Sequence, residues 1–329
     1  MTRVLVTGAY GCIGAWVVRD LVRRDVDVIA HDIGDDPRRM ALVMEPDELE
    51  GVTRVRGDIT DLAALETLID AHEVTTIIHL AALQVPFCRE DPVRGAQVNV
   101  VGTVNVFEAV ARRADRMGPV VYASSVAAYD AIDSGSVPAM SSIPGTLYGV
   151  YKRANEGTAA IYGAERGVSS VGLRPHTVYG PGRDQGLTSA PTAAMLAAAA
   201  GVPYRIPYGG RSQFQYAPDV ARAFVQAALV GRDGATVHNL AGEAVAMDGV
   251  VAAIEAAAPA AAGLIEFDDV LLPFPSEVDA ASLAETIGVV AELPFAEGVA
   301  DAVARFRRLL ADGRVTPGPS AAASASPVQ

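Results

Sequence analysis

The strongest constraint on this chain lies in its first fourteen residues. An apolar run, Arg3 to Thr7, passes directly into Thr7-Gly8-Ala9-Tyr10-Gly11-Cys12-Ile13-Gly14, and a helical pattern follows from Gly11 to Arg24. Glycines spaced GxxGxxG between a buried strand and a helix do three jobs. Gly8 permits a tight turn, Gly11 lets backbone approach a pyrophosphate, and Gly14 lets helix and strand pack closely. The helix start then offers unpaired N–H groups and a positive dipole end to phosphates. Asp32 stands 18 residues past Gly14, at the end of the next strand-like run. A carboxylate there accepts hydrogen bonds from adenosine ribose hydroxyls and repels a 2′-phosphate, which predicts NAD as cofactor. Arg38 and Arg39, further on, are read as solvated loop charges. Asp58 after the third strand suits the adenine amino group or a local helix cap.

The alternation continues. Strand-like runs recur at Asp27–His31, Val52–Arg56, Thr75–Leu80, Val120–Ala123 and Ser169–Leu173. Helical patterns separate them, at Asp61–Ala71, along the face Val100, Val104, Phe107 and Ala111, and at Tyr148–Glu165. Such spacing predicts an α/β fold, a Rossmann-type doubly wound parallel sheet with right-handed crossovers. Residues 1–174 form the expected NAD-binding domain. Residues 175–312 read as a smaller, irregular, mainly substrate-binding region against the sheet edge, with helices at Ser189–Ala200, Pro218–Val230, Met247–Ala257 and Ala296–Leu310. Residues 313–329, rich in Ala, Ser, Pro and Gly, read as a flexible tail.

Charge and cysteine count narrow the function classes. With 26 basic and 39 acidic side chains the net charge is −13, which argues against nucleic acid or an anionic membrane as partner. Two cysteines give no disulfide framework and fit a reducing compartment. There is no metal-ligand motif, no apolar stretch of membrane-spanning length and no signal-peptide pattern, so the expectation is a cytoplasmic protein without a metal.

The chemistry sits at Tyr148-Gly149-Val150-Tyr151-Lys152. Tyr148 and Lys152 are four apart and share a helix face. A tyrosine near pKa 10 is a poor base at neutral pH, and an adjacent ammonium favours the phenolate. Ser125 follows the fifth strand at the ligand-binding edge of the sheet, placed to hold a substrate hydroxyl or its carbonyl product. Tyr151 is the rival base, but its i+4 residue is Asn155, which carries no charge.

The set TGAYGCIG, Asp32, GDITD, HLAAL, Asn99, YASSVAAYD, YGVYK and LRPHTVYGPG resembles the extended short-chain dehydrogenase/reductases. More narrowly it resembles the NAD-dependent epimerase/dehydratase family, which includes sugar-nucleotide epimerases and sugar or uronate dehydrogenases. The likeness runs from Arg3 to about Leu310. It implies that Gly8, Gly11, Cys12, Ile13 and Gly14 line the pyrophosphate and that Asp32, Asp58 and Ile59 bind the adenosine end. It implies further that Leu80, Ala81 and Ala82 pass beneath the cofactor, with Asn99 near it. Tyr148 is then the base, Lys152 its tuner and nicotinamide-ribose ligand, and Ser125 the third member, four residues before Tyr129 as in the family's SSxxxY pattern. Gln84 falls near substrate and cofactor. The family also commonly pairs the two helices from Val100 and Tyr148 with their two-fold mates, which implies a homodimer.

The resemblance breaks at two positions. Thr177 stands where sugar-nucleotide members carry Asn, and Ser212 where they carry Arg. Both missing groups serve a nucleotide diphosphate, so a free carbohydrate-type substrate is expected. His176, Thr188 and Ser189 are candidate substrate contacts, although His176 also fits as a packed loop histidine and Thr188 or Ser189 as a helix cap. Arg183 is a candidate carboxylate ligand. The leading expectation is oxidation of a secondary alcohol on a sugar-type substrate, with hydride to NAD and proton to Tyr148. An NAD-retaining epimerase or dehydratase is the alternative. A non-catalytic dinucleotide-binding regulator is disfavoured by the intact Tyr148 and Lys152.

Overall fold

The computed structural model describes residues 2–129, 143–231, 233–273 and 275–317. Its strands, in chain order, are β1 (Arg3–Thr7), β2 (Asp27–Asp32), β3 (Thr53–Arg56), β4 (Thr76–His79), β5 (Val120–Ala123) and β6 (Ser170–Arg174). Then come β7 (Thr177–Tyr179), β8 (Tyr204–Ile206), β9 (Arg211–Tyr216), β10 (Ala235–Asn239), β11 (Glu243–Ala246) and β12 (Ile265–Phe267). Among the described residues, seven strands make the main sheet in the order β10-β6-β5-β4-β1-β2-β3. Every neighbouring pair in it is parallel. The chain runs outward from β1 to β3, then crosses back to β4 on the other side of β1. That reversal opens a crevice past the C-terminal ends of β1 and β4, where ligands of such sheets bind.

The strands are apolar at successive positions because both sheet faces are covered. Val4 and Val6 face one layer, with Trp16, Val17 and Leu21 from the helix Cys12–Arg23 and Phe224 from the helix Ala217–Val230. Leu5 and Ile77 face the other, against Leu65, Ile69 and Phe107 from the helices Leu62–Ala71 and Gly102–Ala111.

The region after residue 174 does not simply sit at the sheet edge. It returns β10 into the main sheet beside β6, and its helix Ala217–Val230 covers one face. The remainder has its own core. It contains a three-stranded sheet in the order β11-β9-β7, a β12-β8 pair, and the helices Ala190–Ala200, Met247–Ala257 and Phe295–Ala311. Tyr179, Met195, Phe214, Ile254, Phe295 and Val299 fill it.

Strands β7, β9 and β11 have no counterpart in the sequence reading, because Gly and Pro around them hide the two-residue period. The helix expected from Val100 begins as a π-helical turn, Gln97–Val101, and becomes regular at Gly102. No helix among the described residues is long and apolar enough to cross a membrane. Asp130, which ends the YASSVAAYD run, and residues 318–329 of the expected tail lie outside the described residues.

Candidate active site

A cleft of about 820 Å³ opens over the C-terminal ends of the central strands. Its floor is the turn at Gly8, whose φ is +68°. A Cβ at Gly8 would lie 2.6 Å from the backbone nitrogen of Ala81, so a side chain is excluded by space as well as by backbone conformation. The following helix starts at Cys12 with Gly11 as N-cap, and no side chain caps it. The first turn is therefore left to take phosphate oxygens.

Asp32 closes the far end. Its Oδ2 accepts from the Tyr10 N–H at 2.9 Å and its Oδ1 from the Gly34 N–H at 3.0 Å. A carboxylate has about four acceptor positions, so two remain for a ribose diol. Asp58 and Ile59 also line the cleft. Asp58 accepts from Thr60 and pairs with Arg94 at 2.9 Å, a partner the sequence reading missed. Asp61, not Asp58, caps the next helix, through the Ala64 N–H at 3.0 Å. Leu80, Ala81 and Ala82 line the cleft as well. A sugar-and-phosphate-sized channel with this loop and this acid fits a dinucleotide.

Asn99 is a correction. It is buried and does not reach the cleft. Its amide exchanges two hydrogen bonds with the backbone of Leu83, at 2.7 and 2.8 Å. It therefore holds the loop after β4 in place and can serve a cofactor only through that loop. It rides on the π-helical turn Gln97–Val101.

At the other end stand Ser125, Tyr148 and Lys152, all lining the cleft. Ser125 caps a 3₁₀ turn, its Oγ accepting from the Ala127 N–H at 3.1 Å. Gly149 lets the next helix start against that turn, because a Cβ there would collide with the Ala127 carbonyl oxygen. Close approach brings Tyr148 within hydrogen-bonding reach of Ser125. Lys152 is buried, donates to the Ala123 carbonyl at 2.6 Å, and lies 5.6 Å from the centre of the Tyr148 ring. Burial pulls its pKa down to about 8. Burial also pushes the Tyr148 phenol up, and the groups opposing this are the Ser125 hydrogen bond and the charge of Arg183. Lys152, expected to tune the phenol, aims its ammonium at the Ala123 carbonyl. Tyr151 points elsewhere, donating to the Pro92 carbonyl at 2.9 Å.

Lys152 rests on a buried polar network that the sequence reading did not assemble. One turn on, Glu156 accepts from Arg174 at 2.7 and 2.8 Å and from Ser124. Arg174 also donates to the Tyr129 hydroxyl at 2.9 Å. The i+4 spacing of Lys152 and Glu156 was the available signal. His79 lies in β4 and bonds Thr7 at 2.7 Å and Thr103 at 3.0 Å, a structural role.

The substrate end is lined by Gln84, His176, Thr177, Arg183 and Thr188. His176 Nε2 lies 2.6 Å from the Pro275 carbonyl, so that nitrogen carries the hydrogen and Nδ1 accepts. Burial lowers its pKa to about 4, which keeps it neutral at pH 7. Thr177 and Ser212 bond each other at 2.6 Å, and Thr177 lies 3.2 Å from His176 Nδ1. Arg183 donates to Thr188 at 3.1 Å. Its Nε and the Gln84 Oε1 are buried without a hydrogen-bond partner among the described residues. Ser189 is a second correction. It does not line the cleft, and its hydroxyl donates to the Gly186 carbonyl at 2.8 Å. Neither it nor Thr188 caps the helix Ala190–Ala200 through its side chain.

Residues 4–241 match the NAD-dependent epimerase/dehydratase family. The chain belongs to that family. NAD is accordingly its cofactor. UDP-glucuronate 4-epimerase 2 of Arabidopsis thaliana is 36% identical over 190 residues, covering 54% of this chain and 42% of that protein. The chain thus spans about two-fifths of the length of the curated relatives it matches. Among solved structures, the UDP-glucose 4-epimerase of Thermus thermophilus in complex with NAD is 27% identical, with a TM-score of 0.76 over 93% of this chain and 99% of that one. A GalE-like L-threonine dehydrogenase from Cupriavidus necator shares the fold, with a TM-score of 0.78 at 23% identity over 92% of this chain and 99% of that one.

Proposed function

We propose that this epimerase/dehydratase family member is a dehydrogenase. It oxidises a secondary alcohol on a free sugar-type substrate that carries an anionic group. The observation that carries the reading is that Arg183 and Gln84 line the same cleft as Tyr148, with Arg183 Nε and Gln84 Oε1 lacking a hydrogen-bond partner among the described residues. A desolvated donor and acceptor left unpaired are costly, and a carboxylate with a neighbouring hydroxyl satisfies both. Thr177 and Ser212, which stand where sugar-nucleotide enzymes keep their diphosphate ligands, are spent on each other and on His176. That favours a substrate without a nucleotide.

In this reading Ser125 orients the reacting hydroxyl and Tyr148 accepts its proton as the carbonyl forms. Lys152 keeps a positive charge under the phenol ring. Bound NAD supplies the hydride acceptor. Gln84, Arg183 and Thr188 fix the other end of the substrate. Asp58, Ile59 and the Gly8–Gly14 loop hold the adenosine and pyrophosphate. Residues 1–174 carry most of the cofactor contacts and residues 175–312 most of the substrate contacts.

An epimerase is the second reading, favoured by the 36% identity to a UDP-glucuronate 4-epimerase. One experiment separates them. The protein is incubated with NAD and a panel of uronates, aldonates, lactones, neutral sugars and sugar nucleotides, and NADH absorbance is followed. A dehydrogenase releases NADH in proportion to an acid from the free-sugar group. Epimerised product without NADH, or turnover confined to sugar nucleotides, would overturn the proposal.

The reading includes a homodimer. Leu147, Val150, Ala154, Gly157 and Ile161 form an exposed stripe of apolar and small residues on the helix Leu147–Arg166, at alternating spacings of three and four. Exposed Val101 stands on the neighbouring helical segment. Such a stripe suits pairing with a second copy. Light scattering that reports a monomer at micromolar concentration would refute it.

A further inference from the structure

Two arginines at the adenosine end of the cleft are held from the opposite wall. After β2 the chain turns into the short helix Arg38–Val43. Arg38 and Arg39 line the cleft alongside Asp32, Gly34, Asp35 and Asp36. Both are paired: Arg38 stays a solvated charge, its side chain 57% exposed, whereas Arg39 is not the solvated loop charge expected from the sequence. Arg38 pairs with Asp184 at 3.3 Å and Arg39 with the same carboxylate at 2.8 Å. Arg39 also donates to the Tyr10 carbonyl of the phosphate loop at 3.1 Å, and its side chain is only 16% exposed.

Asp184 comes from the segment between β7 and the helix Ala190–Ala200, which otherwise serves the substrate end. That segment is anchored where the Trp16 indole donates to the Pro181 carbonyl at 2.9 Å. It then passes over the phosphate loop, where the Cβ position of Gly182 lies 3.9 Å from both Cys12 and Arg39. Neighbouring Arg183 lines the cleft, while Asp184 reaches the two arginines.

The charge arrangement bears on cofactor choice. NAD and NADP differ at the adenosine ribose, as 2′-hydroxyl against 2′-phosphate. Two guanidiniums beside that ribose are the groups a 2′-phosphate needs, since bidentate arginine contacts bind phosphate well. Here a carboxylate from the opposite wall occupies them. Other nearby charges do not release them: Asp36 lies 3.8 Å from Arg38, and Asp35 is engaged by Arg56 at 3.1 Å. We propose that Asp184 is a cofactor-selecting residue: by engaging Arg38 and Arg39 across the cleft, it withholds both from a 2′-phosphate and so reinforces the exclusion of NADP by Asp32.

The test is equilibrium binding of NAD and of NADP by calorimetry, on wild type, Asp184→Asn, Asp32→Ala and the double variant. Asp184→Asn keeps the shape and removes the charge. Its ratio of NADP to NAD dissociation constants should fall by about two- to fivefold, the range for one part-exposed ion pair. The same shift should appear in the Asp32→Ala background, where the Asp32 repulsion is absent. Adding Arg39→Met should cancel it. An unchanged ratio in both backgrounds overturns the proposal. So does a parallel weakening of both cofactors, which would mean that Asp184 only holds its own segment in place.

Discussion

Replacing Glu156 by Met tests how the catalytic end of the cleft is supported. The side chains of Glu156 and Arg174 are 8% and 11% exposed, and they meet through two hydrogen bonds of 2.7 and 2.8 Å. Removing only the carboxylate leaves a buried guanidinium that keeps the Tyr129 hydroxyl but loses this counter-charge. Breaking one side of a buried pair costs about 3–5 kcal/mol. Ser124 loses its acceptor as well, one residue after the carbonyl that holds Lys152. Arg174→Met should cost a similar amount by stranding the carboxylate. The double variant removes both charges at similar volume, so it should be more stable than either single one. Urea unfolding at fixed protein concentration, with matched slopes, measures all four corners of this cycle. If the two losses simply add, the pair is not coupled and this account of the network is wrong.

Four further outcomes are expected. Tyr148→Phe should retain NAD binding and lose about 10² to 10⁴ in turnover, the range for a positioned acid–base group. Tyr151→Phe should change turnover less than about tenfold on the same scale, and a reversed result would move the base to Tyr151. Gly8→Ala places a side chain at φ +68° and against the Ala81 backbone, so NAD affinity in a titration should drop together with the unfolding midpoint. Unaltered NAD affinity in the Gly8→Ala variant would contradict the cradle. His79 is pushed down to about 3, first by burial and then by the Lys152 charge. An unfolded histidine titrates near 6.5, so below that pH the unfolded chain binds a proton that the folded one refuses. Stability is then complete above about pH 6.5 and falls as pH drops toward 3, by up to about 1.4 kcal/mol per unit. His79→Gln should flatten that slope in urea titrations at pH 7 and pH 5, and an unchanged slope would assign the acid sensitivity elsewhere.

What the sequence determined by itself is local. The β1–glycine–helix unit, Asp32 at the end of β2, and Tyr148 four residues before Lys152 follow from period, turn chemistry and short spacing, which act within about 20 residues. Tertiary structure alone decided the long-range pairings. Asp184 meets Arg39 across 145 positions of sequence. Arg174 meets Glu156 only because β6 lies beneath the helix Leu147–Arg166, and Thr177 meets Ser212 only because β7 and β9 share a small sheet. Asn99, on the π-helical turn Gln97–Val101, bonds the backbone of Leu83, a partner that no hydrophobic period records. Such contacts depend on how packed elements cross. A polar side chain in a flexible stretch carries no mark of its partner until burial obliges it to find one.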